Sequence, residues 1–113
     1  MVKGFTIDNQ TRCKHYHSDL DVIAIKFKCC NIYYSCFSCH EELATHPHEI
    51  WNREEFDSLA ILCGVCKHEL TINQYLNCEA QCPNCSAHFN PKCSNHYHLY
   101  FAIRQNLGLM KTR

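Results

Sequence analysis

Three Cys-x-x-Cys pairs punctuate the chain: Cys36/Cys39, Cys63/Cys66 and Cys82/Cys85. A two-residue spacer lets two thiolates converge on one ion while backbone N–H groups face the sulfurs. Zinc takes four such ligands in a closed tetrahedron, with Zn–S bonds of about 2.3 Å. The last two pairs flank 15 residues, the spacing of a four-cysteine zinc ribbon or knuckle. Gly64 suits the tight turn of the first, and Pro83 stiffens the second.

Other donors are less regular. Cys13 and His15 form a Cys-x-His pair, Cys29 and Cys30 are adjacent, His40 follows Cys39, and His46 lies six residues on. Cys13, His15, Cys29, Cys30, Cys36, Cys39, His40 and His46 are thus eight candidate ligands. With Cys63, Cys66, Cys82 and Cys85 they make twelve, enough for three tetrahedra and three zinc ions. We expect the last four to share one ion. For the rest we favour Cys13, His15, Cys36 and Cys39 on one ion, with Cys29, Cys30, His40 and His46 on another. The spacing also allows Cys29 to part from Cys30, and Cys39 from His40.

Cys78 reads as a bystander. Cys93, His96 and His98 either ligate a further ion or sit in an aromatic core with Tyr97, Leu99, Tyr100 and Phe101. His17, His48, His68 and His88 read as exposed or hydrogen-bonded.

Metal is favoured over disulfides on composition. The chain has 113 residues, 11 Cys and 9 His. Its hydrophobic fraction of 46% counts every cysteine, so the remaining apolar complement is modest for a self-sufficient core. An odd cysteine count fits complete disulfide pairing poorly. Disulfides also belong to oxidising compartments, usually behind a signal peptide. The stretch from Met1 to Gln10 has no apolar core, and Asp8 sits where one is needed. The longest apolar run, around Leu59 to Cys66, is far short of the ~20 residues of a membrane span. The expectation is an unsecreted, cytoplasmic protein that does not enter a membrane.

A formal net charge of zero disfavours nucleic acid as a partner, since such binding needs excess cations to displace counterions. Lys26, Lys28 and Arg104 are too few for a basic face.

Catalytic readings fare poorly. His40-Glu41-Glu42 supplies His-x-Glu, but Pro83 follows a cysteine where a nucleobase deaminase has proline before it. His40 and His46 are too far apart for His-Glu-x-x-His. Catalytic zinc keeps an open position, whereas sites rich in thiolate tend to be closed. No phosphate-binding glycine loop or hydrolase triad is present. A dithiol oxidoreductase would cycle a Cys-x-x-Cys pair, but the βαβ context is missing and zinc would hold the thiolates reduced. We therefore expect a binder and not an enzyme.

These ligands need elements to hold them. Ile23, Ile25 and Phe27 alternate with Ala24, Lys26 and Lys28, the pattern of a half-buried strand. Ile32-Tyr33-Tyr34 reads as a return strand. A short helix is expected from Ser38 or Cys39 through Thr45, ended by Pro47. Glu49 to Ser58 reads as a loop or brief helix pinned by Trp51 and Phe56, and Leu59 to Leu62 as a strand entering Cys63. Thr71 and Gln74 match a capping box, predicting a helix from Ile72 to about Asn77. An aromatic segment runs from Tyr97 to Arg104, and Gly108 would stop a terminal helix. The fold class is a small, irregular α+β module, metal-stabilised, with short strands and short helices. Tyr33, Tyr34, Trp51 and Tyr100 are candidate anchors for a partner, unless they cover the zinc sites.

The order Cys13-x-His15-Tyr16, Cys29-Cys30, Cys36-x-x-Cys39-His40, His46, Cys63-x-x-Cys66, Cys82-x-x-Cys85 resembles the CHY-type zinc finger. The resemblance spans residues 13–101, leaving an N-terminal arm (1–12) and a C-terminal tail (102–113). The end, from Phe89 to Phe101, is similar to the small stand-alone branch that includes the mitochondrial helpers of Tim proteins and short bacterial relatives. The resemblance implies a three-zinc scaffold for protein interaction or assembly, with an unidentified protein partner. It equally admits a thiol-redox or zinc-handling chaperone, placed in the mitochondrial intermembrane space if the source is eukaryotic. Family members that are ubiquitin ligases carry a RING beside this module, for which this chain has neither length nor cysteines.

Overall fold

The computed structural model describes residues 2–91 and 97–102. Five short strands form one sheet: β1 (Val2–Lys3), β2 (Ile23–Phe27), β3 (Ile32–Tyr34), β4 (Leu59–Cys63) and β5 (Glu69–Thr71). Their order is β1-β3-β2-β4-β5. β1 runs parallel to β3, and all other pairings are antiparallel. Two short helices, α1 (Phe37–Leu43) and α2 (Ile72–Leu76), and a 3-10 turn over Arg53–Glu55 complete the described elements.

β2 is central, with Ile25 opposite Tyr34 on one side and Ile61 on the other. That position buries Ala24 as well as Ile23, Ile25 and Phe27, so β2 is not the half-buried strand its alternation predicts. Period 2 reports the two faces of a strand, but only the layers packed on each face decide whether both are dry.

The N-terminal segment reads as an arm from its sequence, yet it supplies the edge strand β1. Trp51 and Phe56 do pin the 44–58 loop. Both are buried, and the Trp51 indole N–H donates to the Lys26 carbonyl at 2.8 Å. The core joins these aromatics to Phe27, Ile61, Leu70, Ile72, Phe89 and Phe101.

The helices differ in how well sequence locates them. α2 begins where the capping box requires, with Thr71 accepting from the Gln74 N–H at 3.0 Å and Gln74 returning to the Thr71 N–H at 2.8 Å. α1 starts before the expected Ser38, because the Cys36 thiol itself is the cap and accepts from the Cys39 N–H at 3.3 Å. It ends at Leu43, before Pro47 can act, where Ala44 turns to extended backbone. That early exit swings His46 back beside His40. Gly108 and most of the segment after Phe101 lie outside the described residues.

Candidate metal centres

The twelve donors fall into three groups, and within each group the ligand atoms lie within 4.8 Å of one another. The first holds Cys13, His15, Cys36 and Cys39; the second Cys29, Cys30, His40 and His46; the third Cys63, Cys66, Cys82 and Cys85. Adjacent Cys29 and Cys30 stay together, while adjacent Cys39 and His40 face different groups.

The first group is built from two separate stretches of chain. Cys36 and Cys39 come from the start of α1. Cys13 is buried and held in an isolated bridge to Thr6, with its N–H donating to the Tyr16 carbonyl at 3.0 Å. The arm closes over the group. The Phe5 N–H points at Cys39 Sγ at 3.4 Å, and the Phe5 ring meets His15 edge-on. Gly4 lies at φ +133, and a Cβ there would sit 2.9 Å from Cys39 Sγ. Only glycine lets the chain pass so close to the sulfur.

The second group hangs on the β2–β3 turn. Asn31 takes the left-handed conformation that the turn needs (φ 57), and its N–H returns to the Phe27 carbonyl at 2.7 Å. This projects Cys29 and Cys30 toward α1. His40 is fully buried, stacked on Phe27 with centroids 4.2 Å apart and met edge-on by Tyr34.

The third group is made of two copies of one turn. Cys63 N–H donates to His68 O (3.0 Å) and Lys67 N–H to Cys63 O (2.8 Å). Cys82 N–H donates to Ala87 O (2.8 Å) and Ser86 N–H to Cys82 O (2.9 Å). Lys67 and Ser86, each four residues after the leading cysteine, have φ 64 and 67. Gly64 is needed here for closeness, since a Cβ would lie 2.2 Å from the Gln10 carbonyl oxygen.

The donor sets fit zinc. A tetrahedron with ~2.3 Å bonds has an edge near 3.8 Å between sulfurs, and slightly shorter edges to nitrogen. Cys13–Cys36, Cys63–Cys85, Cys66–Cys82 and Cys29–Cys30 are 3.7, 3.8, 3.9 and 3.9 Å apart at sulfur. His15 Nδ1 stands 3.4 and 3.5 Å from Cys36 and Cys39, and His40 Nε2 stands 3.3 Å from both Cys29 Sγ and His46 Nε2.

Each of two histidines offers its other ring nitrogen to a carboxylate. His15 Nε2 lies 2.5 Å from Glu42, and His40 Nδ1 lies 3.3 Å from Glu41. Such a contact selects the tautomer that leaves the opposite nitrogen free for metal. Sequence reasoning did not find Glu41 and Glu42. The signal was their place directly after Cys39-His40 on a helix.

Without a cation the crowded thiols titrate unusually. Burial pushes Cys36, Cys39 and Cys29 up, and Cys63 to about 12. Burial also acts on Cys66, but the Asn84 amide, the His68 N–H and neighbouring thiols outweigh it and bring it to about 6. Burial also lowers His40, which favours the neutral ring that metal requires.

The remaining donors stand apart. Cys78 points its thiol at the Tyr75 carbonyl (3.1 Å) and joins no group. Among the described residues, His17, His48, His68, His88 and His98 join none either, and His48 packs edge-on against Phe37. Cys93 and His96 lie outside the described residues. Tyr33, Tyr34 and Trp51 are buried, which removes them as surface anchors. Tyr34 covers His40, Tyr33 donates to Glu69 at 2.7 Å, and Tyr100 is half-buried. Lys26 and Lys28 are engaged by Glu69 and Glu55.

The profile of the CHY zinc finger matches residues 13–91. The chain belongs to the CHY zinc finger family. It is 50% identical over 103 residues to Helper of Tim protein 13 of Saccharomyces cerevisiae, covering 88% of this chain and 89% of that one. The Kluyveromyces lactis protein of the same name is 46% identical, over 88% and 87% of the two chains. An uncharacterized Schizosaccharomyces pombe protein is 45% identical, over 88% of each. As a CHY zinc finger this chain is a small α+β zinc-binding protein whose three donor groups fit three ions. Among the described residues, no helix is long and apolar enough to cross a membrane.

Proposed function

We propose that Cys13, His15, Cys36 and Cys39, then Cys29, Cys30, His40 and His46, then Cys63, Cys66, Cys82 and Cys85, hold one structural zinc ion each. The CHY domain runs over residues 13–101, with flanks 1–12 and 102–113. The observation that carries this is the set of sulfur and nitrogen separations near the edge of a zinc tetrahedron. Four protein ligands leave an ion no open position for water, so the protein is a scaffold for protein assembly and not an enzyme. Its function lies on its outer surface, toward a protein partner and not a nucleic acid or a membrane. The relatives' name favours the mitochondrial intermembrane space over the cytoplasm. Native mass spectrometry of the reduced protein tests the assignment. Three zinc ions are expected, and two or fewer would overturn it.

A second reading, zinc or thiol handling in the manner of a helper of Tim, draws on the third group. Cys85 is exposed, so this group presents the sulfur most open to exchange. Zinc release on mild oxidation, beginning with the third ion, would support it. Release from all three at once would not.

A further inference from the structure

Thr11 combines two unusual features. It is β-branched yet lies at φ 75, in the left-handed region. Its side-chain hydroxyl is buried, with the residue 5% exposed, and has no hydrogen-bond partner among the described residues. The Ser35 hydroxyl is buried in the same way, also without such a partner. Both residues line one cavity with about 50 Å³ of free space, and Asp21 lines it too. The rings of Tyr16, Tyr75, Tyr97 and Tyr100 complete much of the lining. Of these residues only Tyr16 is exposed.

Strained backbone and an unanswered buried hydroxyl both cost stability, and they persist where the surrounding structure over-determines them, often at ligand sites. The lining restricts what that ligand is. Burial raises the Asp21 carboxyl, but the Asn90 amide, the N–H and hydroxyl of Ser18 and the nearby Arg12 charge more than offset this. The group is therefore ionised at neutral pH and repels anions. Two unanswered hydroxyls disfavour a purely apolar guest. The volume holds a few waters or one small head group, not an aromatic ring system. A primary ammonium matches the set: it has three N–H donors and no acceptor, against two hydroxyls and one carboxylate. Tyrosine walls suit both an alkyl stem and a cation.

We propose that this cavity, lined by Thr11, Ser35, Asp21 and four tyrosines, receives the ammonium group of a lysine side chain from a protein partner. This rests on the reading of the protein as a scaffold for protein assembly. It deepens that reading by naming the chemistry of the contact.

The test uses the zinc-loaded full chain, titrated with n-butylammonium and with the peptide acetyl-Gly-Lys-Gly-amide, and followed by NMR shifts. The neutral comparators are 1-butanol and the same peptide acetylated at the lysine amine. Saturable binding of both amines is expected, at least about tenfold tighter than their comparators. Asp21→Asn and Thr11→Val should each weaken it roughly tenfold or more. Asp21→Asn keeps the test open if Thr11→Val fails to fold. Several results would overturn the proposal: no saturable amine binding, butanol binding as well as butylammonium, or full affinity in Asp21→Asn. Binding of butylammonium but not of the lysine peptide would overturn the partner lysine as occupant. Zinc content, measured on the same samples, reports separately on the metal scaffold, so loss of the cavity and loss of the scaffold are told apart.

Discussion

The first two metal groups and the third solve one problem in opposite ways. The groups around α1 take donors from the segment after the arm, a hairpin turn, a helix and a loop, and they mix thiolate with imidazole. The third repeats one short turn and uses thiolate alone. A divalent ion on four thiolates leaves a net charge of about −2, so it needs backbone N–H groups and a wet edge. Cys85 is accordingly exposed, while His40 is fully buried among rings. Histidine ligands reduce the charge and allow a dry site, but they must be held by carboxylates such as Glu41 and Glu42. A repeated turn is a local solution. The first group instead joins Cys13 and His15 to Cys36 and Cys39 beneath the closing arm.

The largest effect should come from removing all metal. Structural zinc contributes ~10–16 kcal/mol per site in finger peptides, against total stabilities of about 5–15 kcal/mol. Strong chelator should therefore abolish the native circular dichroism spectrum and the cooperative melt. An unchanged spectrum would mean that the ions are not structural.

Single-ligand losses should then separate the two regions. Cys66→Ser should release one ion and loosen residues 63–85 while two ions stay bound, by native mass spectrometry. His40→Ala removes a ligand and the ring stacked on Phe27, so it should also unsettle the neighbouring group through Cys39. Equal damage from the two variants would erase the distinction drawn here.

Glu42→Gln sharpens the contrast further. It should weaken zinc at the first group by about 10–100-fold and leave the third unchanged, read by competition with a chromophoric chelator. The smallest effect is a gain. Ser86 occupies a left-handed position that glycine adopts at no steric cost. Ser86→Gly should stabilise the zinc-loaded protein by up to about 1 kcal/mol, seen as a higher melting temperature.

Much of the local geometry was readable in advance because its causes are local. The capping box at Thr71 involves residues three apart, and each Cys-x-x-Cys pair closes on itself. Counting donors in fours gave the number of groups; the partition favoured for the first eight was one of several the spacing allowed, and the structure groups the donors that way. What escaped reading depends on distant chain. The role of β1 requires β3 thirty residues on, and the need for Gly4 arises only when Cys39 is beside it. The left-handed Lys67 and Ser86 were hidden because neither residue type favours that conformation. The tyrosines and Trp51 looked like anchors because side-chain chemistry does not reveal which rings the core will claim.

Cys39 and His40 are neighbours on one helix, yet they join different donor groups. Consecutive helical side chains diverge by about 100°, and this angle is what separates the two centres. One residue inserted between them would swing everything downstream on α1 by another 100°. His40 would then be carried away from Cys29 and Cys30, and Glu42 from His15. The Cys39–His40 peptide bond admits no insertion or deletion, and it fixes the reading register of the whole ligand pattern.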